Sequence, residues 1–162
     1  MKFVRLSFIP AVIIVLISFS SCDKSNPPEP SVEEAQLKLL SKTWTISASK
    51  GSKVEFGSGS TDRTSEYEGM TLTISGTFSE GGTYNYTVAT RPSLSPWPAN
   101  GTWTFDLNDP ENLVIRTEDN IPMTYSVVDN KLQLVFTYSG AGYTGPRISA
   151  VEGSWIFLFS SN

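Results

Sequence analysis

The sequence predicts an all-β domain. It has about eight antiparallel strands in an up-and-down meander, closed into a barrel or flattened into a sandwich, with one short N-terminal helix. Three observations predict this. Apolar and polar residues alternate with period two over successive short segments from Lys42 onward, as half-buried strands require. Turn-forming residues separate these segments at short intervals: Glu80-Gly81-Gly82, Asn100-Gly101, Asp119-Asn120 and Asp129-Asn130. Only residues 31–41 carry helical spacing, and no repeat of fixed period stands out.

The helix opens at Ser31-Val32-Glu33-Glu34, with Ser31 as cap and Glu34 reaching back, and Ala35, Leu37, Leu39 and Leu40 give it a broad apolar face. Trp44 and Ile46 share one face of the first strand. Met70, Leu72, Ile74 and Phe78 mark the next, and Tyr84, Tyr86 and Val88 the return strand. Trp103 and Phe105 follow, then Leu113 and Ile115, then Met123, Tyr125 and Val127, then Leu132, Leu134 and Phe136. Trp155, Phe157 and Phe159 close the chain. Ile156 and Leu158 make that strand apolar on both faces, which predicts burial on both sides, with the helix as one cover. The expected core contains Trp44, Leu72, Ile74, Trp103, Phe105, Leu134 and Phe157. Three loops interrupt the meander: a long, mobile one over residues 50–68, a proline-rich one over 91–100, and a glycine-rich one over 139–146.

Ahead of the domain, Lys2 and Arg5 precede an apolar run from Phe8 to Phe19, too short to span a bilayer and of signal-peptide length. The run ends in Phe19-Ser20-Ser21-Cys22, which resembles the cleavage and acylation signal of bacterial lipoproteins. Cys22 is the only cysteine, and acylation explains a lone thiol in an exported chain. Each buried methylene contributes about 0.8 kcal/mol, so a multiply acylated cysteine is a lasting anchor. The expected organisation is a signal peptide over 1–21, an acylated Cys22 with a proline-rich tether over 22–30, and the β domain over 31–162. Only Asp23, followed by Lys24, stands where an acidic surface-export run would lie, so the face of the membrane stays open.

The chain carries 12 basic and 16 acidic residues, and loss of Lys2 and Arg5 with the leader raises the acidic excess from four to six. Such a surface suits neither nucleic acid nor binding to anionic lipid by charge. The absence of histidine removes the usual Ser–His–Asp and Cys–His nucleophile systems and His/Cys zinc sites. No cofactor, metal or catalytic residue is expected. Glu66 and Glu68 would share a face if extended, as a glycosidase pair must, but solvated loop acids are the plainer reading. Asp106, Asp109, Glu111, Glu118 and Asp119 lack calcium-loop spacing and suit turns and strand edges. The 139–145 segment lacks the Gly-Lys-Ser/Thr ending of a phosphate loop. Asn85 and Asn100 satisfy the glycosylation pattern, which means little in a bacterial setting. Trp97, between Pro96 and Pro98, either presents its ring to a ligand at a barrel mouth or folds down as a plug.

Leu39-Leu40-Ser41-Lys42-Thr43-Trp44, Tyr84-Asn85-Tyr86-Thr87-Val88, Gly101-Thr102-Trp103-Thr104-Phe105 and Pro122-Met123-Thr124-Tyr125-Ser126-Val127 together resemble the lipocalin-like lipoproteins of the Bacteroidetes, within the wider calycin group. The resemblance covers roughly residues 36–160, and Arg147 is its candidate for the arginine that packs on the first-strand tryptophan. It implies an outer-membrane lipoprotein that binds and does not catalyse, holding a small apolar or glycan ligand at the barrel end among Trp97, Tyr84, Tyr86 and Trp103. The alternative is a side-chain-filled barrel that serves as a structural or interaction subunit of an envelope complex, partnering another envelope protein or a glycan importer.

Overall fold

The computed structural model describes residues 29–140 and 151–161. The leader, Cys22, most of the tether, the greater part of the 139–146 loop and Arg147 lie outside the described residues. Helix α1 (Val32–Leu40) comes first, then β1 (Thr43–Thr45), β2 (Lys53–Phe56), β3 (Thr61–Asp62), β4 (Thr71–Ser75) and β5 (Tyr84–Ala89). They are followed by β6 (Asn100–Phe105), β7 (Leu113–Arg116), β8 (Ile121–Val128), β9 (Lys131–Tyr138) and β10 (Gly153–Ser161). Two 3-10 helices, η1 (Ala48–Lys50) and η2 (Thr64–Tyr67), lie between β1 and β4.

The fold is a closed antiparallel barrel. Its eight wall strands run β1-β4-β5-β6-β7-β8-β9-β10, and closure comes from Trp44 opposite Ser161 and Thr45 opposite Ser160. Closure pairs β1 and β10, the strands that an open meander would leave as edges, and leaves only the two-residue β3 paired on one side among the described strands. Every residue of the expected core is buried, in one continuous cluster with Phe136, Trp155 and Phe159. Ser31 caps α1 by accepting the Glu34 amide at 3.2 Å.

Strand direction sorts the connections onto two ends. The helix end holds α1 and the β4–β5, β6–β7 and β8–β9 links; the opposite, loop end holds the β5–β6 and β7–β8 links, the end of β9 and the start of β10. Leu37 and Leu40 of α1 are buried against the helix end, and the Trp44 indole donates to Leu40 O at 3.0 Å. The helix therefore stoppers the barrel and does not cover the outside of β10, where Ile156 and Leu158 stay half-exposed. Their double-faced pattern reflects partial burial on the outer wall, and the expected helix cover is corrected.

The segment expected as a long mobile loop is built differently. Along β10, Thr45 sits opposite Ser160 and Lys53 opposite Leu158, so seven residues on one side face a single residue, Phe159, on the other. β1 and β2 thus form one interrupted wall strand with η1 bulged out between them. β3 adds to β2, and η2 brings Tyr67 into the core before β4. Strand β7 also departs from the expected parity. Val114 and Arg116 point inward, while Leu113 and Ile115 lie half-buried outside.

Candidate functional site

Both barrel ends are stoppered from within the chain, and what lies between them is the candidate site. At the loop end, Thr90 leaves β5 with φ of 55°, a left-handed conformation that a β-branched residue adopts only under strain. The chain then turns inward: Ser95 Oγ accepts the Trp97 amide at 3.2 Å, and Ser95, Pro96, Trp97 and Pro98 are all buried. The Trp97 ring meets Tyr86, Phe136 and Phe157 edge-on, at centroid distances of 5.9, 5.3 and 5.7 Å. These are inward residues of three different strands, and edge-to-face pairs of this kind add about 0.5–1.5 kcal/mol each beyond area burial. Trp97 is the plug.

Arg116 holds the plug in place. Its guanidinium is fully buried, 5.3 Å from the Trp97 ring and 5.5 Å from Phe136. One amino group donates to Pro96 O at 2.9 Å, and Nε and the other amino group form a fork on the Asp119 carboxylate at 2.9 and 2.6 Å. A buried charge needs such pairing, because taking it out of water unpaired costs several kcal/mol. Alternation alone does not single out Arg116 as an interior residue. Its one signal in sequence is the acid three residues on, Asp119, because the run Leu113-Val114-Ile115 hides which side of the strand is inward.

At the helix end the Tyr125 hydroxyl donates to Pro110 O at 2.6 Å and lies 3.1 Å from the Gln36 amide oxygen. Burial first, and the Asp109 and Glu111 charges second, push its ionisation well above the ordinary phenol range. Leu40 projects from this side toward Trp97. Between them is a void of about 20 Å³, lined by Leu72, Trp103, Met123 and Leu134 among others. That is room for about one water molecule. Two of the four indoles satisfy their N–H with the carbonyl four residues earlier, Trp44 on Leu40 and Trp155 on Val151. The other two, Trp97 and Trp103, border the void and have buried N–H groups without a partner.

Tyr84, Tyr86, Trp97 and Trp103 are thus all interior, none more than 3 % exposed, and the structure brings only three of them to the void. Tyr84 sits toward the helix end, 5.0 Å from Trp103, with its hydroxyl on Ser79 O at 3.0 Å. The Gly101-x-Trp103 motif also has a physical reason. A side chain at Gly101 would meet the Tyr86 hydroxyl within 2.5 Å, and that hydroxyl donates to Glu118 at 3.3 Å.

The carboxylates serve the fold. Residues 64–67 are helical, so Glu66 and Glu68 do not form an extended pair; Glu66 is paired with Arg63, and Glu68 accepts the Ala48 amide at 2.9 Å and so caps η1. Asp106 accepts the Asn108 amide at 2.8 Å, and Asp109 accepts from the Asn112 side chain at 2.8 Å, as turn formers do. Among the described residues, no group of three or more histidine, cysteine, aspartate or glutamate side chains is placed to hold a metal ion.

Compared with protein-family models, with curated proteins and with solved structures, the chain finds no significant match.

Proposed function

We propose that the chain is a lipocalin-like envelope lipoprotein, anchored through an acylated Cys22, whose barrel is filled by its own side chains and which acts as an interaction subunit of an envelope complex. The supporting observation is the seat of Trp97, packed on Tyr86, Phe136 and Phe157 where a carried molecule would lie. Binding cavities for small molecules measure about 300–1,000 Å³; the interior void is about 20 Å³. On this reading the outer surface carries the activity and no bond is made or broken.

A second reading keeps a small apolar or glycan ligand inside, beside Trp97, Tyr86 and Trp103, with Tyr84 farther along. The unpartnered Trp97 and Trp103 N–H groups favour it, since a ligand acceptor would satisfy them. It requires the plug to leave. Native mass spectrometry of the mature chain, released from its own membranes in mild detergent, separates the two. The expected species is the acylated chain with a protein partner. A stoichiometric small molecule on the chain would overturn the filled-barrel reading in favour of the carrier.

A further inference from the structure

We propose that the helix end of the barrel is a lipid-docking face that rests on the surface of a zwitterionic bilayer; this deepens the reading of Cys22 as an acylated anchor and rests on it. Among the described residues the exposed large hydrophobics are Val32 (44 %), Leu39 (39 %), Leu107 (69 %) and Val128 (64 %). All four lie at the helix end. Val32 and Leu39 stand on α1, Leu107 in the β6–β7 turn, and Val128 beside the β8–β9 turn. Seven residues apart, Val32 and Leu39 share one side of α1 with Ala35, away from the Leu37–Leu40 side that stoppers the barrel. The helix therefore carries a second apolar stripe that stays exposed among the described residues.

The chain leaves for Cys22 from this same end. Eight residues separate Cys22 from Ser31, a span of about 30 Å at full extension. A tether this short holds the helix end near the bilayer at an effective concentration of about millimolar, so even weak contacts keep the face seated. Charge selects the lipid. Asp106, Asp109 and Glu111 surround Leu107 in its turn, Glu33 and Glu34 stand on the first turn of α1, and Asp129 follows Val128; together these acids outnumber Lys38, Lys42 and Lys131 at the same end. Anionic headgroups are repelled by this set, while the outward ammonium of phosphatidylethanolamine complements it.

The test uses the full mature chain, its acyl mass confirmed, in vesicles of phosphatidylethanolamine and phosphatidylcholine. Acylation occupies the sole thiol, so Leu107→Cys, Val128→Cys and, at the loop end, Ser58→Cys each accept one fluorophore at an exposed position. Lipids spin-labelled at the headgroup should quench the Leu107 and Val128 probes several-fold more than the Ser58 probe, and phosphatidylglycerol should reduce that difference. Equal quenching at the two ends overturns the docking. Shielding of the Leu107 probe that needs no vesicles and grows with protein concentration also overturns it, and assigns the face to a second copy. A mature chain without acyl mass overturns the anchor reading itself and the docking with it.

Discussion

Arg116 carries a full charge into the barrel interior, and its partners make that tolerable. The fork to Asp119 and the bond to Pro96 O take up three of its five N–H donors, and the Trp97 and Phe136 rings lie against it. A desolvated cation–ring contact is worth about 2 kcal/mol. The pair therefore binds the loop to the wall as well as neutralising itself. Trp97 depends on the same arrangement, and its removal would open a cavity in the middle of the aromatic cluster. Trp97→Ala should cost about 3–5 kcal/mol of unfolding free energy, read from denaturant midpoints. Unchanged stability with a loss of affinity for some ligand would instead make the ring a contact residue. The Arg116–Asp119 spacing is visible in sequence, but the direction of the Trp97 ring is not. Trp97 lies between two prolines, outside any alternating pattern, and nothing in Pro-Trp-Pro says whether the ring points to solvent or to the core.

Elements were legible wherever one face was apolar and the other polar. Strands β5, β6, β8 and β9 alternate cleanly, and the Asp129-Asn130 turn has positive φ at both residues, as a tight two-residue hairpin requires. Strand β7 defeated the pattern because Leu113, Val114 and Ile115 are all apolar, so parity could not be assigned, and the inward residue after them is a cation. The interrupted β1–β2 wall was hidden for a related reason: four residues, Lys53 to Phe56, bounded by Gly51 and Gly57, are too short for periodicity to separate from loop. The loop that carries Trp97 begins under strain. Thr90 has φ of 55°, and a left-handed conformation costs an ordinary residue about 1–2 kcal/mol. Thr90→Gly should relieve most of this and raise stability by up to about 1 kcal/mol. A lowered denaturation midpoint would show that the threonine side chain contributes more than its backbone costs.

At the scale of the molecule, the fold is a meander whose two ends are closed by parts of its own chain: α1, which the sequence pattern placed over the last strand, at one, and Trp97, which the sequence left open between plug and ligand contact, at the other. The closed interior has a consequence for pH. Burial pushes the Tyr67 phenol up to about 12, ahead of smaller opposing contributions from Ser95 and Arg63, and raises Tyr125 further. In the unfolded chain both titrate near 10. Because the folded values are the higher ones, the stability linked to them is fully present below about pH 10 and is lost as pH rises through the folded values. The unfolded chain loses its phenolic protons first, and the equilibrium moves toward it. On the acid side Asp62 is held below its usual range by hydrogen bonds from Thr64, so its smaller contribution is lost as pH falls through the carboxylate range. No histidine is present to titrate between about pH 5 and 8. Urea midpoints should therefore be level across neutral pH and fall steeply above about pH 10. Tyr67→Phe, which removes one of the two phenols without emptying its space, should shallow that fall. A wild-type midpoint as high at pH 11 as at pH 8 would mean that these phenols ionise inside the folded barrel without penalty.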